Sequence, residues 1–216
     1  MKFASINNPM AFTRLISSSA SEDRLEKLIE QRIRPDVDKA ALDERIWDLF
    51  GEEWTVLYTD LAGFSRNVAE FGIIHFLQVI HESRKVLIPV IETHDGIMLK
   101  TEGDSMLIIF RNPVKGLDCA VEMQEACAAY NRSRPDSEKL LLCVGIGFGK
   151  VLRIGDADVF GAEVNAACKL GEDTARAWDI MVTEPLRNSV TGREFEKLDT
   201  APAGTSGAYR LLYQLP

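Results

Sequence analysis

A chain of 216 residues with 46% hydrophobic content suits one domain plus an extension and can supply a full core. Its net charge of −8, from 25 Lys and Arg against 33 Asp and Glu, excludes the basic footprint of a nucleic-acid or anionic-membrane binder. No apolar run approaches membrane-spanning length, and the first ten residues are too short and interrupted in their apolar part for a signal peptide.

Residues 1 to about 20 read as a polar tail, with Ser17 to Ser21 leading into a first helix. Ser21 to Ile33 carries Leu25, Leu28, Ile29 and Ile33 at helical spacing until Pro35 ends it. A second helix follows over 38–50, with Ala41, Leu42, Ile46, Leu49 and Phe50 on one face. These pieces form an N-terminal tail and helical extension, 1–51, ahead of a main domain, 52–216. The helices either cap a core face or couple the domain to a partner.

From Trp54 the elements alternate. The strand 54–60 ends on Asp60 and is followed by Leu61-Ala62-Gly63-Phe64, small residues before a helix-like segment over 65–93. That helix carries Phe71, Ile74, Leu77, Val79, Ile80, Val86 and Leu87, and Pro89 implies a kink or an early stop. A hairpin spans 97–110, with Lys100 on its first strand and Gly103-Asp104 as a tight turn. A helix over 113–131 and a buried strand over 140–148 complete a β-α-β-β-α-β order. The predicted class is therefore α+β with a ferredoxin-like βαββαβ core. A strand near 150–154, a helix over 162–175, a strand over 179–183 and a terminal hairpin over 194–213 follow. The four cysteines show no metal-ligand spacing, which fits reduced core residues and a cytoplasmic compartment.

Two stretches carry candidate chemistry. If strand 54–60 and the hairpin are neighbours, Asp60 and Asp104 meet, repel and raise each other's pKa unless a cation lies between them. A divalent metal resolves that conflict, although such a pair also reads as two turn aspartates at separate strand ends. The turn after Asp60 exposes backbone N–H groups and a helix N-terminus, a ready anion site. In the second stretch, Asn165 and Lys169 lie four apart on one face of a helix, a placement that suits a sugar and phosphates or simply a solvated surface.

Taken together, Thr59-Asp60-Leu61-Ala62-Gly63-Phe64 and Lys100-Thr-Glu-Gly103-Asp104 resemble the metal-binding segments of the class III nucleotidyl (adenylate/guanylate) cyclase catalytic domain. Asp158-Val-Phe-Gly161, Asn165 and Lys169 resemble the stretch of that family that reads the base and stabilises the transition state. The resemblance covers about residues 52–198. It implies that Asp60 and Asp104, with the Leu61 carbonyl, hold Mg²⁺ or Mn²⁺, two ions per site. It implies that Ala62, Gly63 and Phe64 line the phosphates, that Lys100 and Asp158 select adenine, and that Asn165 orients the ribose.

The implied activity is conversion of ATP to 3′,5′-cyclic AMP and pyrophosphate, in a homodimer whose two interface sites each join Asp60 and Asp104 of one subunit to Lys100, Asp158 and Asn165 of the other. No nucleic acid and no membrane span are expected. Three departures stand out: Lys169 where the family usually has Arg, a short 149–158 connection, and no Lys-Gly near the C-terminus. Arg210 and Lys150 are the candidate substitutes for that missing phosphate contact. These departures keep two alternatives open, a pyrimidine nucleotide cyclase (cyclic CMP or UMP) and a catalytically weak nucleotide-binding module.

Overall fold

The computed structural model describes residues 20–63, 70–201, 205 and 207–215. Two helices come first, α1 (Ala20–Arg32) and α2 (Lys39–Phe50). Asp38 caps α2 by accepting the Ala41 amide at 3.1 Å, satisfying a donor that the first helical turn leaves unpaired. Arg32 Nη2 donates to Asp43 Oδ2 at 2.9 Å and joins the two helices, and Leu28, Ile46 and Phe50 pack on Ile154. Among the described residues no helix is long and apolar enough to cross a membrane.

The strand β1 (Gly51–Leu61) opens the main domain, followed by α3 (Ile73–Thr93) and the hairpin β2 (Ile97–Glu102) and β3 (Ser105–Phe110). Next come α4 (Pro113–Asn131), β4 (Leu142–Ile154), β5 (Asp158–Phe160) and α5 (Ala162–Lys169). The chain ends with β6 (Ile180–Thr183), α6 (Glu184–Ser189), β7 (Glu194–Lys197) and β8 (Ala208–Leu212). The sheet order is β2-β3-β1-β4-β6-β8-β7, with β5 folded back onto β4. Its first four strands keep the ferredoxin-like order, and β1 runs antiparallel to both neighbours, β3 and β4.

Strand alternation separates two faces. Leu57 and Leu61 point into the larger core, with Val79, Leu87, Leu117 and Met123 of α3 and α4. Trp54 and Val56 point the other way, against Leu107, Ile109, Val151 and Val164. Asp60 continues this second series and so emerges on the side away from α3 and α4. All four cysteines are free, and burial pushes the Cys119 and Cys127 thiols up to about 12, which leaves them as inert core residues.

One packing device decides where α5 sits. Opposite Trp54, Val56 and Tyr58 stand Gly149, Gly147 and Gly145 of β4, large residue against glycine at each pair. A Cβ on Gly145 would lie 2.1 Å from the Ala167 carbonyl oxygen, and one on Gly147 2.5 Å from the Glu163 carbonyl oxygen. The helix therefore lies backbone to backbone on the strand, an approach that only glycine permits.

Several sequence expectations are corrected. The strands expected at 140–148 and 150–154 are one, because the β1 ladder continues unbroken past Gly149 to Leu152. The helix expected over 65–93 is interrupted at Gly72, which adopts φ 85 between helical Glu70–Phe71 and α3 from Ile73, and residues 64–69 lie outside the described residues. Pro89 does not stop it, because Val90 and Ile91 are anchored in the core. Phe71, Ile74 and Leu77 are exposed, and Phe76, Val79, Ile80 and Leu87 form the buried side. The helix over 162–175 ends at Lys169 and gives way to a single π turn, Leu170–Thr174.

The glycine contact makes a direct prediction. Gly145→Ala forces α5 off β4 and should lower stability by about 3 kcal/mol, the upper end of overpacking costs, in urea denaturation. An unchanged midpoint would show that the two backbones are not in contact.

Candidate active site

Asp60 lies at the end of a central strand rather than at the lateral edge of the sheet, directly across from Cys143. Asp104 follows Gly103, whose φ of 59 makes the two-residue turn between paired Glu102 and Ser105. Ser105 is the first residue of β3 and shares a face with Asp60; its Oγ donates to Asp60 Oδ1 at 3.2 Å. The Met106 amide donates to Thr59 Oγ1 at 3.1 Å and ties the hairpin to β1 one residue further on. The structure thus brings Asp60 and Asp104 together.

Their electrostatics is unfavourable without a counter-charge. Burial, and then the negative charge of Asp104, push the Asp60 carboxyl up to about 6. Burial likewise raises Asp104, against the pull of its own backbone amide and that of Leu61. Asp104 Oδ2 is buried without a hydrogen-bond partner. Among the described residues no group of three or more His, Cys, Asp or Glu forms a metal cage. Two hard oxygen donors, one with an unsatisfied oxygen, fit an ion of the Mg²⁺ kind, which completes its shell with phosphate oxygens and water.

The expected anion cradle is partly corrected. The Ala62 amide donates to the Leu141 carbonyl at 2.8 Å, so this N–H is already used and does not face a phosphate. Gly63 turns the chain with φ 89, and Phe64 lies outside the described residues.

Lys100 reaches Asp158 through a local irregularity. In the β2–β3 ladder Met98 stands opposite Ile108 and Lys100 opposite Leu107, which leaves Leu99 as the extra residue of a bulge. Strict alternation would place Leu99 and Lys100 on opposite faces. The bulge lets Leu99 pack beside Leu107 while Lys100 Nζ donates to Asp158 Oδ2 at 3.1 Å. That hydrogen bond raises the Lys100 pKa and keeps the ammonium charged. Glu102 stands 3.6 Å from the same nitrogen. Asp158 is set by the β4–β5 hairpin, where it pairs with Ile154 and accepts the Val159 amide at 2.9 Å.

Asn165 and Lys169 are both exposed on α5. No hydrogen bond or ion pair among the described residues joins either side chain to Asp60 or Asp104. Their helix is pinned by Glu163, whose Oε2 accepts the Phe148 amide at 3.1 Å and the Thr183 hydroxyl at 2.7 Å. Neither basic substitute is free for the phosphates: Arg210 pairs with Asp179 and Glu196, both at 3.0 Å, and the Lys150 ammonium lies 5.1 Å from the Trp47 ring centroid.

Sequence reasoning missed Ser105, Glu163 and Glu172. Strand parity from Asp104 onward would have pointed Ser105 at Asp60. Burial is what chiefly raises Tyr58 and Asp104, and Glu172, on the unanticipated π turn, adds a smaller push to both.

The model of the adenylate and guanylate cyclase catalytic domain matches residues 51–208. A Rhizobium meliloti (strain 1021) protein named "Putative adenylate cyclase 3" is 30% identical over 138 residues, 64% of this chain and 23% of that protein. The serine/threonine-protein kinase pkn2 of Myxococcus xanthus is 29% identical over 132 residues, 61% of this chain and 16% of that protein. The chain thus spans less than a quarter of these curated relatives. Among solved structures, the guanylyl cyclase domain of the RhoGC fusion protein from Blastocladiella emersonii shares the fold with TM-score 0.65 and 18% identity, over 75% of this chain and 97% of that one. The adenylyl cyclase CyaB from P. aeruginosa does so with TM-score 0.63 and 16% identity, over 76% and 95%. On the match over residues 51–208, the protein belongs to the adenylate and guanylate cyclase catalytic domain family.

Proposed function

We propose that this domain is an adenylate cyclase that converts ATP to 3′,5′-cyclic AMP and pyrophosphate. The observation that carries the base assignment is the Lys100–Asp158 pair at 3.1 Å, on the sheet face that also bears Asp60. An ammonium donates to adenine N1 and a carboxylate accepts from the exocyclic amine, whereas guanine presents a donor and a carbonyl at those positions. Asp60 and Asp104, with the Leu61 backbone, would hold Mg²⁺ or Mn²⁺. When bound, the ion neutralises triphosphate charge and lowers the pKa of the ribose 3′-hydroxyl.

The chain's own groups then position the substrate. Asn165 orients the ribose so that its 3′-oxygen lies in line with the α-phosphorus, and Lys169 offsets the charge that builds there. The 3′-hydroxyl gives up its proton to solvent as its oxygen bonds to the α-phosphorus, the bond to the β-phosphate oxygen breaks, and pyrophosphate leaves. Lys169 supplies one point charge instead of a bidentate fork, which predicts modest turnover. Asn165 and Lys169 are exposed and make no contact with the carboxylate pair of their own chain. That placement supports a homodimer in which Lys100, Asp158 and α5 of one subunit complete the site that Asp60 and Asp104 of the other begin.

Product analysis by mass spectrometry tests the reading, with purified protein given ATP, GTP, CTP or UTP in Mn²⁺ or Mg²⁺. Cyclic AMP as the main product is expected, and Asp60→Ala should cut turnover by at least about a hundredfold. Cyclic GMP, CMP or UMP as the main product would overturn the base assignment. No product from a folded dimer would leave only a nucleotide-binding module.

The carboxylate pair also has a signature independent of turnover. Asp60 titrates at about 6 in the fold against 3.8 as a free side chain, so between those values the native state holds a proton that the unfolded chain has lost. The metal-free protein therefore loses stability as pH rises from about 4 to about 6 and does not regain it above. Asp60→Asn removes the charge and should stabilise the metal-free protein at pH 8 by about 1–2 kcal/mol, discounted for partial exposure, with little effect near pH 4. Thermal melts at the two pH values check this, and equal shifts at both would show that the Asp60 charge is not strained.

A further inference from the structure

The turn that carries Asp104 is poorly supported by its own hairpin. Among the described residues β2 ends the sheet order and pairs only with β3, and Ile97 and Met98 are each 38% exposed. The bulge at Leu99 interrupts its ladder. At the tip, a Cβ on Gly103 would meet nothing within 4 Å among the described residues, so that side of the turn is open. A liganding oxygen has to be held to within a few tenths of an ångström, and a bare turn does not do that.

The support comes from the opposite face of the sheet. On that face, where Thr101 and its partner Met106 point, Arg84 of α3 donates through Nη2 to Thr101 Oγ1 at 3.1 Å and to the Gly103 carbonyl at 3.4 Å. That carbonyl belongs to the peptide bond that enters Asp104, so its orientation sets the direction in which the Asp104 side chain leaves the turn. Thr101 adjoins Lys100 and pairs with Met106, whose amide is held by Thr59 of β1. α3 itself is rigid at this point, with Ser83 and Leu87 buried on either side of Arg84. The guanidinium is a planar donor on a helix anchored in the core, and both of its acceptors lie on the segment between Lys100 and Asp104.

We propose that Arg84 is a positioning residue for the Asp60–Asp104 metal site and acts through the β2–β3 turn. The inference rests on the reading of that pair as the metal site. Arg84 touches neither substrate nor metal; it restricts the peptide that aims one of the two ligands, as outer partners of metal ligands do elsewhere. Arg84→Ala frees the turn and weakens metal binding more than it weakens the fold, because the buried side of α3 is built from other residues. Arg84→Lys offers donors on a flexible stem without the planar group and restores only part of the effect.

The test is a titration with Mn²⁺ in which free ion is read by electron paramagnetic resonance. The protein is saturated with an ATP analogue whose α and β phosphorus atoms are joined by methylene and cannot be separated. Arg84→Ala should raise the Mn²⁺ dissociation constant about tenfold, the low end for loss of an outer partner of a metal ligand, and Arg84→Lys by less. Thr101→Val removes one acceptor, leaves α3 untouched and should weaken Mn²⁺ binding about threefold, so the inference remains testable if Arg84→Ala does not fold. Asp60→Asn is the reference. If it loses Mn²⁺ while both Arg84→Ala and Thr101→Val bind like the natural protein, the positioning role is overturned and the metal site stands. If Asp60→Asn binds Mn²⁺ unchanged, the site reading fails and takes the inference with it. A lower melting temperature in Arg84→Ala with unchanged Mn²⁺ affinity would assign Arg84 to stability alone and overturn the role.

Discussion

Two like charges held half-buried at the ends of adjacent strands are the constraint on which this domain turns. A carboxylate loses hydration on leaving water, and a second one beside it makes the loss larger. Asp60 and Asp104 accept both penalties, and the surroundings compensate only in part, through Ser105 and the Leu61 amide. A core built for stability alone would have placed apolar or singly charged groups there. The arrangement becomes intelligible when a cation enters, and the remaining strand ends, turns and helices fix where that cation and its nucleotide would lie.

The two sheet faces divide the labour. One is closed by α3 and α4 over a large continuous core that includes Leu57, Ile108, Met123 and Ile146. Among the described residues the other is covered by α5, β5 and the π turn, which leaves Asp60 and Lys100 partly exposed, with Ser105 buried next to Asp60, beside a small cluster around Trp54 and Val56. Stability and chemistry thus use opposite sides of the same strands, and strand alternation alone keeps them apart. Arg84 stays on the α3 side and reaches the turn through Thr101 and the Gly103 carbonyl.

Much of this was legible in the sequence, for reasons that differ from residue to residue. Asp60 and Asp104 stood out because a carboxylate ending an apolar strand and another in a Gly-Asp turn break the local pattern. The core order followed from period and turn chemistry in the same way. The Leu99 bulge was not legible, because its signal is a register shift between two strands and not a property of either one. The closeness of α5 was hidden for a related reason: Gly145, Gly147 and Gly149 read as an apolar run until the helix that fills their space is placed. The used Ala62 amide and the π turn depend on partners distant in sequence, Leu141 in one case and the packing of Gly171 beside Tyr58 in the other.

The glycine row has a mechanical consequence. Side chains between a helix and a sheet act as a compliant layer that lets one slide over the other by changing rotamers. Between α5 and β4 that layer is missing along Gly145 and Gly147, and Glu163 bolts the helix to β4 and β6 as well. The helix and the central strands therefore travel as one rigid body. Any closure around a nucleotide has to be taken up elsewhere, by the π turn behind α5, by the β4–β5 hairpin, or, in the proposed homodimer, by movement of one subunit against the other.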